Sequence, residues 1–188
     1  MDNKSHVNWK PLVSVVFCLF ASVAAASSDL QAATEHACGI DAHSPAKRVF
    51  AKVDDNQPWR EYTRLEDVPE LALGFGISAE MWKGYNSSFL IRTVEPGEDF
   101  WSYTEYCFNK DGRLIRLAYE VRTAWGWAFQ MGGPVMNSAI RADSSGFTST
   151  ETGKAIPKPQ GAGDVGEALK PTLYLEEKRL PFYSLLSR

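Results

Sequence analysis

The sequence predicts an α+β fold, in which a curved antiparallel β-meander follows short N-terminal helical segments. Three observations predict it. Residues 114–131 alternate between two kinds of side chain over an unusual length, which is typical of a half-buried strand. Turn signals at Pro96-Gly97 and Asp111-Gly112 separate that run from two other β-rich runs. The composition, 44% hydrophobic and 12% aromatic, supplies enough apolar surface for a core.

The same composition excludes several classes of protein. The chain has 188 residues and a net charge of −3, from 20 Lys and Arg against 23 Asp and Glu. It is too apolar to be disordered and too short for two full domains. Its evenly balanced charge also argues against a nucleic-acid partner, which would call for a basic surface.

Residues 1–26 have the pattern of a secretory signal peptide. Two lysines precede an apolar stretch at 12–26, and Ala24 and Ala26 form an A-x-A cleavage site. A transmembrane anchor is the alternative, but this stretch is shorter than the roughly 20 residues that span a bilayer. We therefore expect residues 27–188 to form a single exported α+β domain, periplasmic or secreted, with no membrane span.

Cleavage would leave two cysteines, Cys38 and Cys107, and a net charge of −4. An even pair in an oxidising compartment predicts a disulfide. The alternatives are two free thiols, or a metal site that uses Cys38 together with His36 and His43. Because the ligand spacing at 36–43 matches no known metal template, we predict no metal site and no cofactor.

The alternation in 114–131 places the odd-numbered residues in the core. Trp125 and Trp127 are therefore predicted to be core residues. The run is longer than a typical strand, so we expect a strong twist or a break near Gly126.

The Asp111-Gly112 loop suggests a register for the hairpin that contains it. If Phe108 lies opposite Arg113, then Glu105 lies opposite Arg116, and this opposite-charge pair supports the register. The same register, extended through the preceding turn, predicts further neighbours: Tyr103 with Ala118, Trp101 with Glu120, Arg92 with Trp101, and Leu90 with Tyr103.

The flanks of the meander are less regular. Residues 46–53 fit either a helix that begins after Ser44-Pro45 or a strand. The remaining expectations are a helical stretch at 59–68, a helical turn at 78–84, a hairpin at 147–156 and a short strand at 172–176.

One face of the predicted sheet combines aromatic rings with arginines, a composition enriched at recognition surfaces. We predict that its side chains bind a ligand: Arg92, Trp101, Tyr103, Glu105, Arg116, Glu120 and Arg122. The alternative is an ordinary outer sheet face, on which the charges form cross-strand pairs.

Sequence motifs do not indicate an enzyme. The G-x-G-x-x-G letters at 161–166 lack a preceding buried strand, and Ala155 stands where a phosphate-binding loop at 146–154 needs Ser or Thr. We therefore predict a non-catalytic binding or interaction domain, whose partner is an unknown ligand or protein. The alternative function is a small hydrolase or metal-dependent enzyme that uses His36 and His43.

Overall fold

An antiparallel sheet organises the chain in the computed structural model, which describes residues 29–41, 46–54, 56–162 and 170–187. Its strands are β1 (Arg48–Lys52), β2 (Arg60–Tyr62), β3 (Ile77–Lys83), β4 (Phe89–Pro96), β5 (Phe100–Phe108), β6 (Leu114–Thr123), β7 (Trp127–Met136), β8 (Ala139–Ile140), β9 (Ser144–Ser149) and β10 (Ala155–Ile156). The helices are α1 (Asp29–Ala37), α2 (Glu70–Phe75) and α3 (Tyr183–Leu186), with 3-10 turns at Leu65–Asp67 and Glu177–Arg179. The predicted signal peptide and His43 lie outside the described residues.

The strand order is β10-β9-β7-β6-β5-β4-β3-β1-β2, and β8 pairs with β7. All the pairings are antiparallel. The predicted antiparallel β-rich fold is therefore confirmed, with few and short helices in the described part of the chain. From β3 to β7 each strand pairs with the next one along the sequence, as in a meander.

Local side chains explain where the central strands turn. Between β5 and β6, the Asn109 carboxamide oxygen accepts hydrogen bonds from the backbone N–H groups of Asp111 and Arg113, both at 3.0 Å. Gly112 has a φ of +71°, which glycine adopts without strain. The predicted break near Gly126 is also confirmed, because β6 ends at Thr123 and Gly126 has a φ of +86°.

The break separates the environments of the two neighbouring tryptophans. Trp127 begins β7 and is buried, as predicted. The same prediction is wrong for Trp125, which is 58% exposed. Trp125 lies in the turn before Gly126, where the strand alternation no longer sets its direction.

The register of the β5–β6 hairpin differs from the predicted one by two residues. Glu105 pairs with Ala118, and Cys107 with Arg116, so the predicted Glu105–Arg116 pair is wrong. One residue of the difference comes from the turn, since Phe108 pairs with Leu114 and not with Arg113, and the second comes from a bulge after Cys107, where Ile115 is the extra residue on β6. Beyond the bulge, a shift of two leaves each side chain on its predicted face, because strand side chains alternate with a period of two. At the bulge the prediction is wrong, since Leu114 packs on the tail-face side and Ile115 against the Cys38–Cys107 disulfide.

The β4–β5 pairing is also shifted from the prediction. Arg92 pairs with Glu105, not Trp101, and Leu90 pairs with Cys107, not Tyr103. The turn is closed by a hydrogen bond from the Gly97 N–H to the Phe100 carbonyl at 2.7 Å, so it lies two residues later than Pro96-Gly97 suggests.

Tertiary contacts override the local signals in the flanking segments. The helical turn predicted at 78–84 is wrong, because residues 78–83 belong to β3, which is paired on both sides. The expected helix at 59–68 is replaced by β2 and a 3-10 turn, and residues 46–53 contain β1. The hairpin at 147–156 is confirmed, whereas residues 172–176 form only an isolated bridge, from Glu176 to Arg113.

Other segments of the chain pack on both faces of the sheet. One face, which we call the tail face, packs against the C-terminal residues 170–187. Its buried cluster comprises Phe50, Ala79, Phe89, Ile91, Tyr106, Phe108, Leu114, Leu117, Tyr119, Val121, Leu180 and Phe182. The opposite face, which we call the helix face, carries α1 against β5, β6 and β7.

Aromatic contacts attach the C-terminal residues to the tail face. The Phe182 ring stacks on Phe50 at 5.0 Å between centroids and lies 4.7 Å from Trp59. Each such aromatic pair contributes about 1 kcal/mol beyond the burial of its surface. The Tyr106 hydroxyl also donates a hydrogen bond of 2.9 Å to the carbonyl of Thr172.

Candidate functional site

The strand pairings place the seven predicted ligand-binding residues on the helix face. The β4–β5–β6 pairings bring Arg92 opposite Glu105, Tyr103 opposite Glu120, and Trp101 opposite Arg122. The residues divide into a part that contacts α1 and a part that is open to solvent.

Arg92 is the centre of the part that contacts α1. Its guanidinium donates to Glu105 at 2.8 Å and to Glu35 of α1 at 2.8 Å. The guanidinium also lies 5.0 Å from the ring centroid of Trp82. One cation thus joins a helix and two strands. The second carboxylate oxygens of Glu35 and Glu105 are buried and have no hydrogen-bond partner among the described residues.

Around Arg92, three carboxyl groups surround one guanidinium. This imbalance affects the pKa values of Glu105, Glu80 and Arg92. Burial raises the pKa of Glu105 from 4.5 to about 7, and the attraction of Arg92 offsets this only in part. Burial also raises the pKa of Glu80, which lies beside Arg92 on β3. Burial by itself would lower the pKa of Arg92, but Glu105, Glu35 and Glu80 outweigh it and raise the pKa. The Arg92 guanidinium therefore stays charged, and the effect of burial appears as the raised pKa values of Glu105 and Glu80.

Arg116 also contacts the segments that lie on the helix face. Its guanidinium donates to the Thr34 hydroxyl of α1 at 3.3 Å and forms an ion pair of 2.8 Å with Asp143. Together, Arg92 and Arg116 hold α1 on the sheet. The partners of both guanidinium groups are polar groups of this chain, as in ordinary cross-strand and tertiary ion pairs.

The part open to solvent centres on Trp101, which is 43% exposed. The guanidinium of Arg122 lies 5.2 Å from the Tyr103 ring centroid and donates to Glu120 at 2.6 Å. Burial raises the pKa of Tyr103, so this phenol stays protonated at neutral pH. The open part thus presents an aromatic surface with one cation, formed by Trp101, Tyr103 and Arg122.

The predicted disulfide between Cys38 and Cys107 is confirmed. It joins residues 69 apart in sequence, with their Cα atoms 5.6 Å apart, and ties the end of α1 to β5. The Cys38 sulfur is therefore committed to the bridge. His36 lies exposed on α1, and the described residues contain no group of three His, Cys, Asp or Glu side chains placed to hold a metal ion.

The tail face contains a cavity of about 270 Å³ between the sheet and the C-terminal residues. The sheet contributes a band of polar side chains to its lining: Thr93, Glu95, Ser102, Thr104, Tyr106 and Tyr119. The pairings place Thr93, Thr104 and Tyr119 side by side across β4, β5 and β6. A row of three hydroxyl groups therefore crosses a face that is otherwise largely apolar.

Tyr119 differs from Tyr106 in its hydrogen bonding. Tyr119 is only 4% exposed, and its hydroxyl has no partner among the described residues, whereas the Tyr106 hydroxyl bonds to Thr172. Burial and the negative charge of Glu95 raise the pKa of Tyr119, which keeps its hydroxyl proton available as a donor. A buried hydroxyl with no partner costs about 1–3 kcal/mol, so a partner beyond the described residues is expected to satisfy it.

Sequence reasoning missed this cavity, although the sequence carried a signal for it. Ser102 and Thr104 fall on the predicted core face, between Phe100 and Tyr106. Two polar residues at consecutive core positions of one strand need polar partners or a solvated space. Tyr119, at an odd position of β6, was predicted only to be a core residue.

No family model, curated protein sequence or solved structure matches the chain. Within the described ranges, every helix is too short or too polar to cross a membrane. The chemistry of the helix face and of the tail-face cavity is therefore the basis for assigning a function.

Proposed function

We propose that the protein is a non-catalytic binding domain that holds a small ligand in the tail-face cavity. The observation that carries this proposal is the Tyr119 hydroxyl, which is buried in the cavity lining and has no partner in the described part of the chain. A ligand with a hydrogen-bonding group would satisfy it. Pockets with largely apolar walls and a few placed polar groups are typical of small-molecule sites.

The neighbours of Tyr119 support a binding role over a catalytic one. Among the described residues, the lining carries hydroxyl groups, the carboxylate of Glu95 and the ammonium group of Lys170, and it has no histidine, cysteine or second carboxylate to serve as an acid–base partner. Because burial raises the pKa of Tyr106 and of Tyr119, these phenols stay protonated and orient a ligand through hydrogen bonds.

Replacing Tyr119 by Phe tests the proposal, because it removes the hydroxyl and keeps the ring. We expect Tyr119→Phe to raise the free energy of unfolding by about 1 kcal/mol, since it relieves an unpaired polar group. The matched change Tyr106→Phe removes a satisfied hydroxyl and should lower it by about 1 kcal/mol. Urea denaturation measures both; an equal loss in the two variants would contradict the proposal.

Binding provides the second measurement. Using n-butanol as the probe, we expect saturable changes in NMR chemical shifts of residues around the cavity, and their loss in Tyr119→Phe. Tyr183→Phe is the control, because Tyr183 lies on α3 outside the cavity lining. Identical titrations of the parent protein and Tyr119→Phe would show that the cavity is not a ligand site.

The open part of the helix face is a second candidate site. It keeps the predicted polar aromatic character at Trp101, Tyr103 and Arg122, and Trp101 is accessible. An anionic sugar would stack on the indole ring and pair with the guanidinium. Arg92, Glu105 and Arg116 would act here by holding α1 in place, and would not contact the ligand.

The enzyme alternative, a small hydrolase or metal-dependent enzyme that uses His36 and His43, has less support. Cys38 cannot be a nucleophile or a metal ligand while its sulfur is bonded to Cys107. His36 is exposed on α1, on the opposite side of the sheet from the tail-face cavity.

Export of residues 27–188 as one α+β domain with a curved sheet also belongs to the proposal. The disulfide supports export, because such bonds persist in oxidising compartments. Closely packed glycines support curvature: a Cβ atom at Gly132 would lie 2.9 Å from the carbonyl oxygen of Leu117 on the next strand.

A further inference from the structure

A second, larger cavity adjoins the first on the tail face. Its volume is about 740 Å³, and its lining is mainly apolar: Phe129, Met131, Ile140, Phe147 and Leu173. These side chains come from β7, β8 and β9 and from the C-terminal residues. The described residues thus leave a long apolar groove beside a small polar cavity.

The two cavities meet at Tyr119. This residue lines both of them, as do Lys170 and Pro171. In the cross-strand row, Tyr119 pairs with Thr104 on one side and with Met131 on the other. The row therefore changes from hydroxyl groups to apolar side chains at the residue whose own hydroxyl is unpaired.

We infer that the ligand is an uncharged amphipathic molecule with one hydrogen-bonding head group and one aliphatic chain. This inference rests on the proposed function and adds the chemical class of the ligand. The head, a hydroxyl or a carbonyl, bonds to the Tyr119 hydroxyl. The chain lies along Met131, Phe129 and Phe147 in the apolar groove.

The described lining of the small polar cavity offers no net charge to an ionised head group. Burial is the main cause of the raised pKa of Tyr119, and the negative charge of Glu95 adds to it. Glu95 also contributes to the raised pKa of Tyr106. Lys170 also lines this cavity, so among the described lining residues one carboxylate and one ammonium group are present and their formal charges cancel. A carboxylate head would lose its hydration without gaining a net counter-charge, whereas a hydroxyl or carbonyl head carries no such cost.

The apolar groove makes affinity depend on chain length. Each methylene removed from water contributes enough free energy to tighten binding about fourfold. A polar cavity alone would bind short and long alcohols with the same affinity, because only the head would be recognised. The chain-length dependence therefore separates a head-group site from an amphipathic site.

The experiment measures the affinities of n-butanol, n-hexanol, n-octanol and octanoate by NMR titration of residues 27–188, the chain without the predicted signal peptide. We expect affinity to rise about fourfold per methylene along the alcohols, and octanoate to bind more weakly than octanol. Met131→Gln should weaken octanol binding several-fold and leave butanol binding unchanged. Met136→Gln is the matched control, because Met136 is an exposed residue at the far end of β7.

The outcomes distinguish this inference from the proposed function. If no alcohol binds, both are wrong. Equal affinity for butanol and octanol overturns the amphipathic ligand and keeps the head-group site, and tighter binding of octanoate overturns the uncharged head. Self-association of the ligand-free chain that Met131→Gln abolishes would also overturn the inference, because a second copy would then fill the groove.

Discussion

Replacing Glu105 by Gln tests how the helix face holds a buried carboxyl group. Glu105 is 1% exposed and shares the Arg92 guanidinium with Glu35. Its pKa is raised from 4.5 to about 7 by burial, and the nearby carboxylates of Glu35 and Glu120 add to this effect. Glutamine has nearly the same shape, cannot ionise, and still offers an oxygen to Arg92.

The sign of the pH effect follows from the direction of the shift. The folded protein holds this proton more tightly than the unfolded chain does, so it binds more protons between pH 4.5 and about 7. The contribution of Glu105 to stability is complete below pH 4.5 and is lost as the pH rises through about 7. The gap between the two pKa values corresponds to about 3 kcal/mol.

The assay compares free energies of unfolding from urea denaturation at about pH 4 and about pH 8. We expect Glu105→Gln to match the parent protein at the lower pH and to be about 3 kcal/mol more stable at the higher pH. The same substitution at Glu61 is the matched control, since Glu61 forms a solvent-exposed pair with Arg48 at 2.7 Å. Its hydrogen bond to Arg48 lowers the Glu61 pKa, so Glu61→Gln should lose up to about 1 kcal/mol at the higher pH.

The opposite result for Glu105 has a clear physical meaning. If the carboxylate were ionised and essential to Arg92, removing it would cost about 3–5 kcal/mol at the higher pH. Such a loss, or parallel pH profiles for Glu105→Gln and the parent protein, would refute the reasoning. Arg92 keeps Glu35 as a partner in the variant, so a large loss could not be ascribed to an unpaired guanidinium.

The remaining predictions concern the disulfide and the open part of the helix face. Replacing Cys38 and Cys107 by Ala should lower the free energy of unfolding by about 4 kcal/mol, because the bridge closes a long loop; urea denaturation that shows no loss would contradict this. Titration with glucuronate should change the tryptophan fluorescence and lose that response in Trp101→Ala. Trp125→Ala should keep it, since Trp125 is exposed but lies in the turn after β6 and packs against Trp127; no response in the parent protein would mean that this surface is only solvated.

The faces of the central strands could be predicted from the sequence, but their register could not. Alternation with a period of two assigns Glu105 and Arg116 to one face whichever partners they have. The partner depends on the length of the turn and on the bulge at Ile115, each of which changes the count by one residue. The favourable charge pair that supported the predicted register arises because several acidic and basic residues share this face.

The position of α1 on the predicted ligand face also could not be predicted. The sequence of α1 has no strong apolar stripe, so its amphipathic pattern does not mark it as a packing helix. Polar contacts hold it instead: Glu35 with Arg92, and Thr34 with Arg116. Long-range partners of this kind become visible only when the fold brings the N-terminal segment to the sheet.

The two segments that cover the sheet are held by different chemistry, and this separates the two candidate sites. The segment on the helix face depends on a buried charge cluster and a disulfide, both of which respond to pH or to reduction. The segment on the tail face depends on Phe182 stacking and on the Tyr106 hydrogen bond, which respond to neither. Conditions that loosen α1 should therefore leave the Tyr119 cavity intact. A ligand bound there would stay bound across the pH range in which Glu105 titrates, whereas any ligand of the helix face would not.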